Sequence, residues 1–102
     1  MKIIRPGHRY ELQNFDKPQE RGQVLQFIEK IPEGNGNLST LNDGTTNEEV
    51  LRMLIDRLHT QGEKVPCREN SIAITKLEEA LMWLEKRTAD RQSRGVEGTM
   101  RP

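Results

Sequence analysis

Residues 67–94 read CRENSIAITKLEEALMWLEKRTADRQSR, and this stretch decides the fold of the chain. Its apolar residues return every three or four positions, a period that places them on one face of an α-helix. This apolar stripe consists of Ala73, Leu77, Ala80, Leu81 and Leu84. The pattern predicts a long amphipathic helix that starts at Cys67 or Arg68 and ends near Arg94. Gly95 follows and is suited to form its C-cap.

A second predicted helix precedes this one along the chain. Thr46 followed by Glu49 forms a capping-box pattern directly before an apolar run. The run contains Val50, Leu51, Leu54, Ile55 and Leu58 at helical spacing. The pattern predicts a helix over residues 47–60 that ends at Gly62, and Pro66 prevents its continuation. The connection between the two predicted helices is short, which favours an antiparallel helical hairpin.

The N-terminal part of the chain carries the signals of short strands. Tyr10 and Leu12 alternate with polar residues, and residues 23–31 hold the best strand pattern in the chain. A turn rich in Gly and Asn follows, and residues 38–41 are a third candidate strand. We therefore expect an α+β fold, with a small N-terminal antiparallel β-sheet followed by a two-helix antiparallel hairpin.

Length and composition limit the possible functions. The 102 residues predict a single domain, with a sheet region at about 9–42, the helical hairpin at about 46–94 and a C-terminal tail at 95–102. Only 32% of the residues are hydrophobic and 4% aromatic, a composition that favours an oligomer because a small core is only marginally stable. Zero net charge argues against a partner such as DNA, RNA or a membrane surface. A single cysteine and the absence of a signal-peptide core lead us to expect a soluble intracellular protein.

Three arginines at the end of the long predicted helix are candidate phosphate ligands. Arg87, Arg91 and Arg94 are spaced by four and three residues and share one face, with Trp83 one turn earlier. Residues 86–102 contain five basic and two acidic residues, although the whole chain is neutral. Guanidinium groups match phosphate oxygens in pairs. Spacing alone also fits solvated residues that complement the helix dipole, which is the commoner situation.

The tail after this helix offers further polar groups. Glycines such as Gly98 let a backbone approach a ligand closely, and the Thr99 hydroxyl can donate to phosphate. Glu97 can accept from a ribose hydroxyl or a base amino group. A frayed tail past the end of a helix is the simpler explanation of the same residues.

Two other residues are candidates for contact with a nucleotide. The amide of Asn70 both donates and accepts, so it can read a base or sugar edge, although an ordinary capping or surface amide fits equally. Trp83 offers a stacking face, but the only tryptophan of a small protein is more often in a core or an interface. No metal-ligand spacing, nucleophile with its base, phosphate loop or dinucleotide motif occurs. The sequence therefore predicts no catalytic residue, no metal and no cofactor.

Three segments together resemble the phage Thoeris anti-defence sponge family, which shares a helical hairpin with the anti-CBASS cyclic-nucleotide sponge. The resemblance is good over residues 45–99 and extends more loosely into residues 10–15 and 26–30. The segments are CREN at 67–70, TKLEEALMWL at 75–84, and RTADR at 87–91 followed by RGVEGT at 94–99.

The resemblance implies a binding protein without catalysis. Members of the family sequester cyclic ADP-ribose isomers made by bacterial TIR-domain immune enzymes, so that the signal does not reach its effector. Their protomers pair so that ligand pockets form between subunits. Some members assemble into hexamers that hold cyclic di- or trinucleotides at separate sites, which the sequence leaves open here. We therefore expect a homo-oligomer, dimer or hexamer, in the cytoplasm of the infected bacterial host.

The resemblance also implies roles for individual residues. Asn70 resembles a ligand-reading amide, and Arg87 and Arg91 resemble clamps on a pyrophosphate. Arg94 and the segment at 95–99 would close over the ligand or complete the pocket of the neighbouring protomer. The remaining candidate ligand-binding residues are Trp83, Glu97, Gly98 and Thr99. At Thr60 the family pattern leads us to expect an aromatic residue that stacks on adenine, and threonine cannot supply that contact.

Two other classes of function stay open on the sequence alone. A small phage DNA-binding or regulatory protein would use two helices joined by a short turn and ending in arginines, but net neutrality argues against it. A structural assembly protein would pair the same arginines with carboxylates of a partner. That second alternative predicts no nucleotide binding at all.

Overall fold

A computed structural model describes all residues from 1 to 102 and confirms the α+β class. Five strands precede two helices: β1 Lys2–Arg5, β2 Arg9–Leu12, β3 Gln23–Gln26, β4 Glu29–Pro32, β5 Leu38–Asn42, α1 Asn47–Lys64 and α2 Arg68–Ser93. The chain divides into two compact units. The strand unit consists of Met1–Thr46 and Gly98–Met100, and the hairpin unit of Asn47–Glu97 and Arg101–Pro102. Neither helix is long and apolar enough to cross a membrane.

The strand unit contains two small antiparallel sheets, β1-β2-β3 and β4-β5. In the first sheet Tyr10 lies opposite Ile3 on one side and Leu25 on the other, so these three side chains share a face. Glu11 lies opposite Lys2 and Val24 and points to the other face. The alternation predicted around Tyr10 is therefore present, with an apolar and a more polar face.

Residues 23–31, predicted as one strand, form parts of two strands in different sheets, and that prediction is wrong. Phe27 and Ile28 are consecutive apolar residues, so they break the alternation that one continuous strand requires. Their backbone pairs elsewhere: the Phe27 amide donates to the His8 carbonyl (2.7 Å) and the Ile28 amide to the Thr45 carbonyl (2.8 Å). The chain leaves the first sheet at this point and enters the second at Glu29.

The first strand, β1, was not predicted at all. It is four residues long, lies at the edge of its sheet and is exposed along its whole length. Ile3 and Ile4 favour a strand, but two apolar residues in a row show no alternation from which to assign one.

A buried carboxylate links elements of the strand unit. Glu29 is 4% exposed and accepts charge-assisted hydrogen bonds from two nitrogens of Arg5, the closest at 2.7 Å from Nε to Oε1 and 2.6 Å from Nη2 to Oε2. The Asn42 amide adds a third donor at 3.3 Å. Hydrogen bonding from Arg5 lowers the pKa of Glu29 against the opposing effect of burial, and the Asn42 bond acts in the same direction as Arg5.

Acid is expected to weaken the strand unit through Glu29. Because the folded-state pKa of this carboxyl is depressed, its contribution is fully present above the unfolded-state pKa and is lost as pH falls through the folded-state pKa. Urea unfolding midpoints between neutral pH and about pH 3 test this, with Glu29→Gln as the comparison. The variant is expected to have a lower midpoint at neutral pH and a smaller decrease on acidification. An equal decrease in both proteins would contradict the assignment.

The hairpin unit confirms the two predicted helices, with one boundary corrected. The first helix, α1, does not end at Gly62 but continues to Lys64. A glycine within a helix destabilises it by about 1 kcal/mol relative to alanine. Packing against a second helix stabilises α1 by more than this amount, so the helix continues through Gly62. The effective stop is Pro66, because the residue before a proline disfavours helical backbone.

The helices α1 and α2 pack against each other as an antiparallel pair. Arg52, early in α1, forms an ion pair with Glu85, late in α2, at 2.9 Å. Near the connection, Leu58 and Ile74 line a shared groove. No residue of α1 is fully buried, and Val96 is the one buried hydrophobic residue of the whole chain. The isolated chain therefore has almost no dry core, as its composition predicted.

Candidate functional site

The guanidinium group of Arg91 is the best-enclosed charge of the hairpin unit, with 10% of its side chain exposed. Its Nε donates to a carboxylate oxygen of Glu97 at 3.1 Å, and its Nη2 donates to the Val96 carbonyl at 3.0 Å. Its Nη1 donates to the Arg101 carbonyl at 2.7 Å and more weakly to that of Pro102 at 3.4 Å. The C-terminal residues of the chain therefore enclose the guanidinium group of Arg91.

The chain returns to Arg91 because α2 ends in a tight turn. Arg94 is the C-cap residue, and its amide bonds back to the Asp90 carbonyl. Gly95 then adopts a φ of 71°, a conformation that favours glycine and reverses the chain direction at a helix end. The Val96 amide donates to the Arg91 carbonyl at 3.0 Å. The tail is therefore hydrogen-bonded, and the fraying that the sequence also allowed is absent from this structure.

Arg94 is exposed and already paired. Its Nε donates to Asp90 Oδ2 at 3.1 Å, and its Nη2 donates to the Pro102 carbonyl at 2.8 Å. The Asp90 contact is an i,i+4 pair on the helix surface, which contributes little to stability. Arg94 can release these contacts at low cost.

Arg87 differs from both other arginines. It is exposed on α2 and makes no hydrogen bond or ion pair within the chain. A charged group without an internal partner is free to pair with an anion from solution. Of the three candidate arginines, Arg87 alone presents an uncommitted guanidinium.

Gly98 and Thr99, the other tail candidates, lie in the strand unit. The Leu38 amide donates to the Gly98 carbonyl at 3.0 Å, and Thr99 forms an antiparallel β-bridge with Asn37. The Met100 amide donates to the Gly36 carbonyl at 3.1 Å. Both residues are thus fixed by backbone bonds to the β4–β5 turn, and Glu97 is the tail residue that the structure brings together with Arg91.

Asn70 lies at the other end of α2. Its backbone amide donates to the Sγ atom of Cys67, which caps the helix, at 3.3 Å. Its side-chain amide has no partner within the chain and faces a groove that α1 and α2 share near their connection. Asn70 and Arg87 are 17 positions apart in one continuous helix. At 1.5 Å per residue this separation is about 25 Å, so one chain does not bring them together.

Trp83 is 60% exposed rather than part of a core. The Lys86 ammonium lies 4.8 Å from the centre of its ring, within the range of a cation–π interaction. One face of the indole is therefore in contact with a charge of the same helix. Met82 beside it is also exposed, so α2 presents large apolar side chains to solvent.

Thr60 lies within α1, on an exposed stretch that borders a shallow groove. Arg57, Gln61 and Lys64 line the same groove. Met53 and Asp56 complete the lining, so the groove carries charges of both signs and no aromatic ring. The structure thus provides no neighbouring aromatic group in this groove to replace the one that the resemblance leads us to expect at Thr60.

Sequence reasoning missed the carbonyl groups around Arg91, because backbone oxygens carry no sequence signal. Those of Val96, Arg101 and Pro102 supply most of its partners. The i,i+4 spacing of Asp90 and Arg94 could have indicated their ion pair in advance. The helix end therefore combines one free, one paired and one enclosed guanidinium, an arrangement that can bind an anion at Arg87 beside a fixed tail.

Comparisons with known proteins bear on this arrangement. The sequence model of the family described as "Acb2/Tad1, hairpin domain" matches residues 24–89. A protein named "Thoeris anti-defense 1" from Bacillus phage SBSphiJ7 is 51% identical over 81 residues, which cover 74% of this chain and 57% of that protein. The chain thus spans a little over half the length of this curated relative. The resemblance found in the sequence is confirmed, and the chain belongs to the Acb2/Tad1 hairpin domain family.

Proposed function

We propose that this chain is a phage anti-defence protein that binds and sequesters a cyclic nucleotide immune signal, a cyclic ADP-ribose isomer, without degrading it. The similar protein from a Bacillus phage is named for anti-defence against Thoeris. The observation that carries the proposal is the uncommitted guanidinium of Arg87 on α2, in a chain of this family. Such a protein acts in the cytoplasm of the infected bacterium.

The pyrophosphate of the ligand would pair with Arg87 and, at the inner end of the site, with Arg91. Arg87 has all its donors available, whereas Arg91 already donates to Glu97 and to three carbonyl groups. A ligand phosphate at Arg91 must therefore share this guanidinium with the tail or displace part of it. Arg87 supplies the first charge-assisted contact, and Arg91 with Glu97 fixes the wall beside it.

The base or ribose of the ligand would be read by the Asn70 amide. The separation of about 25 Å along α2 exceeds the reach of one small cyclic nucleotide, so Asn70 and Arg87 of one chain cannot hold the same molecule. The pocket would therefore combine Asn70 of one copy with Arg87 and Arg91 of another. The scarcity of buried apolar residues supports a paired chain, because exposed faces gain stability when a second copy covers them.

The remaining candidates would complete the pocket around these contacts. Trp83 offers apolar surface, and Arg94 adds a cation whose present partners are exposed. The tail, from Glu97 to Gly98 and Thr99, would close one side. The absence of an aromatic residue at Thr60 is expected to weaken adenine stacking or to shift the choice of ligand. The proposed homo-oligomer is a dimer or a hexamer. Cyclic di- and trinucleotides are further proposed ligands, at sites separate from this pocket.

Calorimetric titration tests the proposal directly. The purified full chain is titrated with glyco-cyclic ADP-ribose isomers, cyclic dinucleotides and cyclic trinucleotides. Each mixture is then heated, and the released ligand is examined by mass spectrometry. We expect tight binding of at least one cyclic ADP-ribose isomer and its recovery unchanged. A degraded ligand would instead indicate an enzyme, and no binding across the panel would favour a structural assembly protein.

A further inference from the structure

Arg101 and Pro102 contact the arginine row of α2 through their backbone oxygens. The Arg101 carbonyl accepts a hydrogen bond from Nη1 of Arg91 at 2.7 Å. The Pro102 carbonyl accepts one from Nη2 of Arg94 at 2.8 Å and a weaker one from Nη1 of Arg91 at 3.4 Å. Arg101 and Pro102 belong to the hairpin unit, as both arginines do, and we call these two residues the strap. The strap therefore occupies donors on two of the three candidate phosphate ligands.

Among the groups around Arg91, the strap is the one most easily displaced. The side chain of Arg91 is only 10% exposed, so a phosphate reaches it by replacing an acceptor that is already there. Glu97 and the Val96 carbonyl accept from Nε and Nη2 of this arginine. Val96 is buried, and its amide bonds back to the Arg91 carbonyl, so this part of the tail is held in place. Both strap residues are exposed, and a phosphate can replace them without unburying an apolar side chain.

A phosphate oxygen is a stronger acceptor for an arginine than a carbonyl of the strap. Hydrogen bonds between two charged groups are about twice as strong as those between neutral ones. Release of the strap also returns conformational freedom to its residues. Arg87, which has no partner within the chain, lies one turn before Arg91, about 6 Å along the helix axis. A pyrophosphate bound first at Arg87 therefore brings its second phosphate to the position that the strap occupies.

We propose that the strap is an autoinhibitory contact, which covers donors of Arg91 and Arg94 until a ligand phosphate displaces it. The inference rests on the proposed function, because it assigns the regulation of the same site. A competing segment lowers the apparent affinity for every phosphate ligand by the same factor. Weakly bound anions of the cell then leave the site empty, whereas a tightly bound cyclic ADP-ribose isomer still fills it.

A variant that ends at Met100 tests the strap by removing it. It is expected to bind inorganic pyrophosphate and the cyclic ADP-ribose isomer about tenfold more tightly than wild type, as a strap docked about 90% of the time requires. In stopped-flow measurements the association rate should rise and the dissociation rate should stay the same. Equal or lower affinity would overturn the proposal. Faster dissociation would also overturn it, because the strap would then close over the bound ligand.

The variant Arg101→Ala separates the backbone of the strap from its charge. It loses the same positive charge as the shortened chain but keeps both carbonyl groups. Loss of a positive charge alone weakens the binding of an anion, so Arg101→Ala is expected to show no gain in affinity. A tenfold gain in this variant would assign the inhibition to the side chain and overturn the role of the carbonyls.

Nuclear magnetic resonance shows whether the strap leaves when an anion binds. In protein labelled with ¹³C-proline, the Pro102 signals are those that the shortened chain lacks. They are expected to narrow at saturating pyrophosphate, while those of Pro66 in the helix connection keep their width. Unchanged Pro102 signals, or no pyrophosphate binding by either protein, would overturn the strap. Pyrophosphate binding that follows these expectations, with no binding of any cyclic nucleotide, would overturn the proposed function alone.

Discussion

Arg87→Ala is expected to reduce affinity for the bound cyclic ADP-ribose isomer by about 100-fold, which corresponds to a loss of roughly 3 kcal/mol. The loss follows from removing a charge-assisted contact to phosphate in a desolvated pocket. The free energy of unfolding is expected to change by less than about 0.5 kcal/mol, because Arg87 is exposed and has no partner within the chain. Calorimetric titration and urea unfolding of the same protein measure the two quantities.

Arg21→Ala is the matched control for this experiment. Arg21 is an exposed arginine in the loop before β3, and its side chain makes no ion pair within the chain. Its removal changes the net charge equally, so an effect of charge alone would appear in both variants. Equal affinities of wild type and Arg87→Ala would remove this residue from the site and leave the proposal without its main contact.

Arg91→Ala is expected to lower the free energy of unfolding by about 2 kcal/mol. The variant removes the donor that Glu97 and the carbonyls of Val96 and Arg101 share. Glu97 is partly exposed, so water replaces part of what its carboxylate loses. Urea unfolding at one fixed protein concentration measures the change, since the stability of an oligomer depends on concentration.

Hydrogen exchange separates this effect from a general loss of structure. In Arg91→Ala the tail amides of the hairpin unit, those of Val96, Glu97 and Arg101, should lose protection while those of α1 keep it. Arg94→Ala is the control, because Arg94 makes only exposed contacts, and it should change stability by less than about 0.5 kcal/mol. Full protection of the tail in Arg91→Ala would contradict the role of Arg91 as its anchor.

The hairpin could be predicted from sequence because its signals are local and repeated. The apolar stripe of α2 extends over many turns, and Gly95 marks its end with the positive φ that the structure contains. The end of α1 was misplaced because Gly62 is tolerated within a packed helix, and only Pro66 stops it. The strand region was harder, since Phe27 and Ile28 bond to segments that are distant in sequence.

The differences among the three arginines could not be read from their spacing. Arg87, Arg91 and Arg94 share a helix face, so periodicity treats them alike. What separates them is the path of the tail, which encloses Arg91 with backbone carbonyls and leaves Arg87 free. That path depends on the turn at Gly95 and on the backbone bond from the Val96 amide to the Arg91 carbonyl.

Mixing two variants tests the central claim, a nucleotide site shared between copies, most directly. Asn70→Ala and Arg87→Ala are each expected to bind the cyclic ADP-ribose isomer poorly. After subunit exchange, half the dimers should contain one copy of each variant, and one of their two pockets would combine an intact Asn70 with an intact Arg87. Calorimetric titration of the mixture should therefore recover about a quarter of the wild-type sites at near wild-type affinity. Two inactive variants that regain no binding after verified exchange would contradict a pocket built from two copies.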